Sequence, residues 1–386
     1  VNNTPFVFAG KPLASLSLGC MRFPGREAAA DIIHASASRG VLYLDTSPGY
    51  CFRTEEENSE AWVGAAVQDI RDRVIVSTKC SPGNGGDGIG EWNKPHGFNV
   101  RTADEVRAQM EQSLKRMGLD RLDCYQLWAI HTPEQFDEAM KPGGWLEGVQ
   151  KAREEGLFTH LGITGHAPDS EIKRWVDSGL FEMITVPLHI MDVSRLEGIR
   201  YALAHGLAVI AMNPLAGGLL GSASDSLARE MGGDGVTSAR DLALRYVASV
   251  GPISALSGMT SVAEVEQNVE TLNRPLWSPE EAEALRARFE ALLGTAEYVC
   301  TGCKYCMPCE QGLDIPGILQ LRNYHVVLNL ETAKSSFQSR YKHWGERYKA
   351  DECIECGICE GKCPNGIPVS LLMKEVMATL GEGLGG

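Results

Sequence analysis

Over its first three quarters the chain alternates two hydrophobic patterns. Short apolar and β-branched runs, such as "GVLYLDTS" at 40–47 and "VIVSTKC" at 74–80, read as strands buried on both faces. Between them lie stretches such as "TADEVRAQMEQSLKRMG", where apolar residues recur at three and four positions and the run stops on Gly118. That is an amphipathic helix with its glycine stop. The other strand candidates are "LASLSLGCM", "CYQLWAI", "THLGITGH", "MITVPLHI", "LAVIAMNPL" and "PISALSGM". Eight strands alternating with helices imply parallel pairing and a (β/α)8 barrel. A doubly wound open sheet is the alternative, but no G-x-G-x-x-G follows the first strand.

Composition fits a globular chain that buries a sizeable core: 386 residues, 44% hydrophobic and 22% charged. No run of eighteen apolar residues occurs, so no membrane span is expected. The net charge of −14 argues against nucleic acid as a partner. No signal-peptide pattern opens the sequence, so cytoplasm is the default expectation, although its first residue, Val, fits an alternative start codon or a processed end. From Cys300 onward nine Lys/Arg face ten Asp/Glu, so nearly all the negative charge lies upstream. That break divides the chain into a barrel over 1–296, expected to fold alone, and a second domain over 297–386. The glycine-rich stretch "SPGNGGDGIGEWNKPHGF" lacks G-K-S/T, so it is no phosphate cradle; a flap over the barrel mouth or a disordered insertion are both open.

Barrel chemistry belongs at the C-terminal strand ends. There stand Asp45 and Tyr50 in "LDTSPGY" and Lys79 in "VSTK". An ammonium beside a phenol favours the phenolate and lowers its pKa, and a carboxylate can fix the lysine. The three together make a proton-donating device for a carbonyl oxygen. The plain alternative is a structural ion pair beside a packed tyrosine. Cys20, Cys51 and Cys80 also fall at strand ends and read as small buried hydrophobes.

Residues 5–295 resemble the aldo-keto reductase superfamily. The match lies in "LDTSPGY" with "SEAWVG", "VSTK", "EEGLFTHLGITGH", "NPLAGGLL" and "SGMTSVAEVEQN". The resemblance implies a (β/α)8 barrel that reduces carbonyls of a small-molecule substrate with NAD(P)H, and Asp45, Tyr50 and Lys79 in the roles above. It places Trp128 where the family has its fourth catalytic residue, a histidine. Indole donates one hydrogen bond and accepts none. His131, three residues on, would substitute only from the loop, and a solvated loop histidine is the simpler expectation; His166 reads as mouth-lining. For the cofactor, Thr164, Gly217, Gly218, Gly258 and Asn268 fit the pattern. Gly165 and Thr185 stand where Asn and Gln are usual, Met212 where a tyrosine stacks on nicotinamide, and Thr260 where an arginine holds the 2′-phosphate. Weak nicotinamide binding is therefore expected.

Eight cysteines fall in two tight runs. Cys353, Cys356, Cys359 and Cys363, followed by Pro364, have the C-x2-C-x2-C-x3-C-P spacing of bacterial ferredoxins. Cys300, Cys303, Cys306 and Cys309 form the other run, with two residues before the last cysteine instead of three. Zinc, the alternative, favours pairs of cysteines separated by a longer loop. Two [4Fe-4S] clusters use all eight thiols, with Cys309 expected to serve the second cluster and Cys363 the first. The tail resembles the ferredoxin-like extension of a subgroup of aldo-keto reductase homologues. Between the runs, "KSSFQSRYKHWGERYK" (334–349) holds five Lys/Arg and one Glu. It either compensates anionic clusters or docks an acidic redox partner. The sequence thus points to an oxidoreductase moving electrons between the clusters and the barrel mouth. A docking subunit with a degenerate barrel is the second reading, and a non-redox lyase using Tyr50 the third.

Overall fold

The computed structural model describes residues 6–82, 99–221, 227, 231, 235–294, 297–300 and 305–384. The chain forms two compact units, Val1–Pro214 with Leu244–Pro279 and Leu215–Ala243 with Glu280–Gly386.

In the first unit a hairpin of β1 (Phe6–Phe8) and β2 (Lys11–Leu13) turns through Ala9 and Gly10, both at positive φ, as a tight two-residue hairpin requires. Eight parallel strands follow: β3 (Leu16–Gly19), β4 (Tyr43–Asp45), β5 (Ile75–Cys80), β6 (Leu122–Leu127), β7 (Phe158–Thr164), β8 (Met183–Pro187), β9 (Ala208–Met212) and β10 (Ile253–Ser257). They close into a barrel in sequence order, β10 pairing back onto β3. All eight strands read from the hydrophobic pattern are present. The helix over Ala103–Met117 begins with a capping box between Thr102 and Glu105 and ends on left-handed Gly118.

The hairpin was not visible in the sequence, because strands of three residues are too short to show an alternation. Its Phe8 and Leu13 pack against Tyr43, Ile75, Cys124, Met183, Ala208 and Ile210, which face the barrel's N-terminal end. This plugs one end and leaves the C-terminal end for chemistry.

The second unit is helical: Ile315–Leu328, Glu331–His343, a short turn at Ile358–Gly361 and Val369–Thr379 pack around Leu319, Phe337, Leu372 and Val376. It also takes in the stretch after β9: the Thr332 hydroxyl donates to the Leu219 carbonyl at 2.6 Å. The boundary read at 296/297 thus falls inside this unit, which gathers 215–243 and 280–296 with the tail. Local composition cannot reveal such long-range packing. Among the described residues no helix is long and apolar enough to cross a membrane. The glycine-rich stretch at 83–98 and Cys303 lie outside the described residues.

Candidate functional site

β4 and β5 are neighbours in register, with Asp45 opposite Ser77, so Asp45 and Lys79 reach the same end of the barrel. The Lys79 ammonium lies 2.5 Å from Asp45 Oδ2, with both side chains 3% exposed. A buried ion pair is retained only where its geometry is good and its remaining valences are met. Here they are: Gln126, from β6, donates to Asp45 Oδ1 at 2.8 Å.

Tyr50 follows β4 in a turn and is half-buried, with Lys79 Nζ 4.9 Å from its ring centre. Loss of water raises the phenol's pKa, Lys79 draws it back and Asp45 raises it again; the net direction is upward. This corrects the expectation of a lowered value. Burial outweighs the ammonium, and Tyr50 stays protonated at neutral pH. Burial works against the Lys79 ammonium, but Asp45 and Tyr50 overcome it and its pKa is raised.

Trp128, just past β6, is 9% exposed and stands edge-to-face with Tyr50 at 5.8 Å, its ring 5.9 Å from Lys79 Nζ. Its indole occupies the flank of Tyr50. His131 does not replace it. The His131 ring is half-buried, its Nδ1 accepting from the His166 backbone N–H at 2.9 Å, and the two rings meet edge-to-face at 5.5 Å. Burial and Arg195 lower its pKa. It is neither a solvated loop histidine nor a group beside Tyr50. His166 is exposed at the mouth.

The thiols of Cys20, Cys51 and Cys80 are protonated. Burial raises Cys20 far above its ordinary value, raises Cys51, and pushes Cys80 up to about 12, where Trp145 Nε1 donates to its sulfur at 3.1 Å. Such thiols are inert.

The nicotinamide residues divide into those that fit and those that do not. Asn268 is buried, with Oδ1 unpaired among the described residues while Nδ2 donates to Ser257 at 3.2 Å. It still offers a hydrogen-bond acceptor. Gly258 faces the Arg22 side chain, which a Cβ would approach to 3.3 Å. Gly217 and Gly218, both at positive φ, belong to the second unit.

At Gly165 the fit fails. A Cβ there would lie 1.6 Å from the Ile130 carbonyl oxygen. Ala129 turns at positive φ and Ile130 N–H donates to the Thr164 carbonyl at 3.0 Å, so the backbone after β6 fills the place of any side chain at 165. Thr185 points its hydroxyl to Gln126 Oε1 at 2.8 Å. The contacts expected for a carboxamide from positions 165 and 185 are therefore lacking. Thr260 donates twice to Glu264 Oε2, at 2.6 and 3.0 Å, placing a carboxylate where a 2′-phosphate would be bound. Nicotinamide binding is therefore predicted to be weak, with NADPH no tighter than NADH. Fluorescence titration with both checks this; tight, NADPH-selective binding would contradict it.

In the second unit Cys309 comes together with Cys353, Cys356 and Cys359 around one cavity, also lined by Leu313 and Met373. Among the described residues no three such side chains converge as closely as a single ion requires. A zinc ion with Zn–S bonds of about 2.3 Å draws its sulfurs together, whereas a cubane holds its four thiolates at separate corners. Four thiols around one cavity match the four-thiolate donor set of a cubane. Cys363 does not line this cavity. Asn323 donates to the Cys300 carbonyl at 3.2 Å, anchoring the first run to the helix over 315–328.

Gln126 and the role of Thr185 were missed in the sequence. Strand alternation held the signal: Cys124, Gln126 and Trp128 share a face, and a glutamine in an apolar run pointing inward needs buried partners.

Comparison with known proteins agrees with this geometry. The profile of the Aldo/keto reductase family matches residues 15–288, and that of the 4Fe-4S dicluster domain matches 299–368. An uncharacterized oxidoreductase of Bacillus subtilis, YqkF, is 24% identical over 302 residues, 71% of this chain and 92% of the relative. The NADH-specific methylglyoxal reductase of Escherichia coli is 25% identical, over 69% of this chain and 89% of that protein. Among solved structures, the holo form of aldo-keto reductase AKR11C1 from Bacillus halodurans superposes with a TM-score of 0.58 at 22% identity, covering 74% of this chain and 95% of that one. An aldo-keto reductase from Klebsiella pneumoniae in complex with NADPH gives 0.57 at 23%, with 74% and 95% coverage. The chain belongs to the aldo/keto reductase family and is an oxidoreductase of that family carrying a 4Fe-4S dicluster domain, which implies two clusters.

Proposed function

We propose that this protein is an iron–sulfur oxidoreductase in which reducing equivalents pass between two [4Fe-4S] clusters and a small molecule at the barrel mouth, with Tyr50 as proton donor or acceptor. One observation carries the reading. The buried Asp45–Lys79 pair beside Tyr50 is intact in a barrel whose carboxamide clamp is filled by its own backbone. The proton device is kept while two of the usual contacts to a nicotinamide carboxamide, at 165 and 185, are missing.

Cys309, Cys353, Cys356 and Cys359 would hold one cluster and Cys300, Cys303, Cys306 and Cys363 the other, and such clusters would supply electrons one at a time. At the mouth, Tyr50 would give its proton to the substrate oxygen as negative charge develops there. Lys79 stabilises the phenolate that this leaves, and Asp45 holds Lys79 charged. Trp128 offers a flat apolar wall beside Tyr50, which favours a planar, conjugated substrate over a small aldehyde.

A redox partner would dock near 334–349. Within that stretch Lys334 pairs with Glu382 at 2.6 Å, Lys349 with Glu352 at 3.0 Å, and Arg340 donates to Tyr348 at 2.8 Å. Exposed Lys342, Trp344 and Arg347 are left to meet an acidic carrier. The second reading, a docking subunit with an idle barrel, is favoured by the same filled clamp at Gly165.

Anaerobic purification decides between cluster and zinc. About eight irons per chain, with an EPR signal of two interacting reduced clusters, is the expected result. Stoichiometric zinc without iron would end the electron-transfer reading.

A further inference from the structure

We infer that Gln126 is a positioning residue of the proton device, and that Thr185 sets the orientation in which it works. The inference rests on Tyr50 being the proton donor. Gln126 is fully buried on β6 and all its polar atoms are engaged. Its Nε2 donates to Asp45 Oδ1 at 2.8 Å and to Ser77 Oγ at 2.9 Å, while its Oε1 accepts from Thr185 Oγ1 at 2.8 Å.

The assignment of N and O follows from the partners. A carboxylate only accepts, so the atom facing Asp45 must be the NH2. Thr185, whose hydroxyl donates to Oε1, then holds the other end of the amide in line with Asp45. The chain of contacts runs from Thr185 through Gln126 to Asp45, then Lys79, then Tyr50, across strands β8, β6, β4 and β5. Position 185, where the resemblance leads one to expect a cofactor contact, is turned here toward the proton device.

A neutral donor at 126 does two things. It fills the second oxygen of Asp45, leaving Oδ2 to Lys79 among the described residues. It also brings no charge of its own, so Asp45 remains the undivided counter-ion of Lys79. The other titratable groups facing the cluster are Cys20 at the end of β3, Tyr43 on β4, Cys51 after Tyr50 and Cys124 on β6. Burial raises all four, so they stay neutral at physiological pH.

The test is the ionisation of Tyr50 in the full-length protein, read as phenolate absorbance in the difference between each protein and its own Tyr50→Phe counterpart. Gln126→Glu places a second carboxylate against Asp45. At alkaline pH both are ionised, and the added charge disfavours the phenolate. The Tyr50 titration should move up by about one pH unit, a roughly tenfold fall in its ionisation constant. Gln126→Leu, similar in size and uncharged, removes only the N–H dipole and should move it in the same direction by less. The expected order of titration midpoints is wild type, Leu variant, Glu variant.

Thr185→Val leaves Gln126 Oε1 buried without its donor, loosens the amide's hold on Asp45 and should also raise the midpoint, whereas Thr185→Ser should leave it near wild type. Circular dichroism confirms that each variant is folded; should Gln126→Glu not fold, the Leu and Val variants decide. Titrations that superpose on wild type in the folded variants would overturn the inference. If instead Tyr50→Phe leaves turnover unchanged, the proposed function fails while the titration order can still hold, so the two failures are distinguishable.

Discussion

Wild-type protein should reduce simple aldehydes with NAD(P)H slowly, and Trp128→His should make it faster. In the resemblance the strand-end histidine helps orient the carbonyl and hold its oxygen as charge develops. Loss of one such donor costs about 10²–10³-fold in rate. Here the indole stands edge-on to Tyr50 at 5.8 Å and fills that flank, while His131 is tied to the His166 backbone. Histidine at 128 would restore a small donor and open room for the carbonyl. The gain should fall short of the full factor, because the filled space at Gly165 still weakens cofactor binding. Tyr50→Phe should remove turnover of the physiological substrate by at least as large a factor, since no other phenol flanks Lys79 among the described contacts. The measurement is aldehyde-dependent NAD(P)H oxidation by wild type and both variants. Ordinary reductase rates in wild type, abolished by Tyr50→Phe, would show that Trp128 is harmless.

The second large effect concerns cluster ligation. Cys309→Ser should damage the cluster proposed at Cys353, Cys356 and Cys359, although Cys309 lies in the other run. The four line one cavity, and Cys363 is not among its lining residues. A hydroxyl is a poor ligand where thiolate is needed, so the variant should lose up to about half its eight irons. Its remaining EPR signal should show one cluster without the interaction splitting. Cys363→Ser should spare the cluster at that cavity and give the complementary loss. Identical residual spectra from Cys309→Ser and Cys306→Ser would show that the first run binds one cluster by itself.

The parts legible in the sequence were those written in local pattern. Eight strands and their helices follow from periodicity, because each element meets a buried environment of its own period. Asp45, Tyr50 and Lys79 could be placed at strand ends, and the cysteine runs stand out by spacing. What escaped depends on contacts between distant segments. The Ile130 carbonyl fills the place of a side chain at Gly165 only because Ala129 turns to positive φ, and a lone glycine gives no sign of what fills its space. The upward shift at Tyr50 depends on burial, and a sequence shows the neighbouring lysine but not the lost water. Residues 215–243 join the helical unit through packing such as Thr332 against Leu219. The short hairpin β1–β2 carries too few residues for any period to show.

The central claim is that electrons reach the barrel mouth from the clusters. It is tested most directly by supplying two reductants in turn, anaerobically, to the full chain and to the same chain with its iron removed, using cinnamaldehyde as a planar conjugated carbonyl. The account predicts turnover with reduced methyl viologen in the iron-loaded protein, little with NADPH, and none with viologen once iron is gone. Equal turnover with NADPH in loaded and iron-free protein would contradict it.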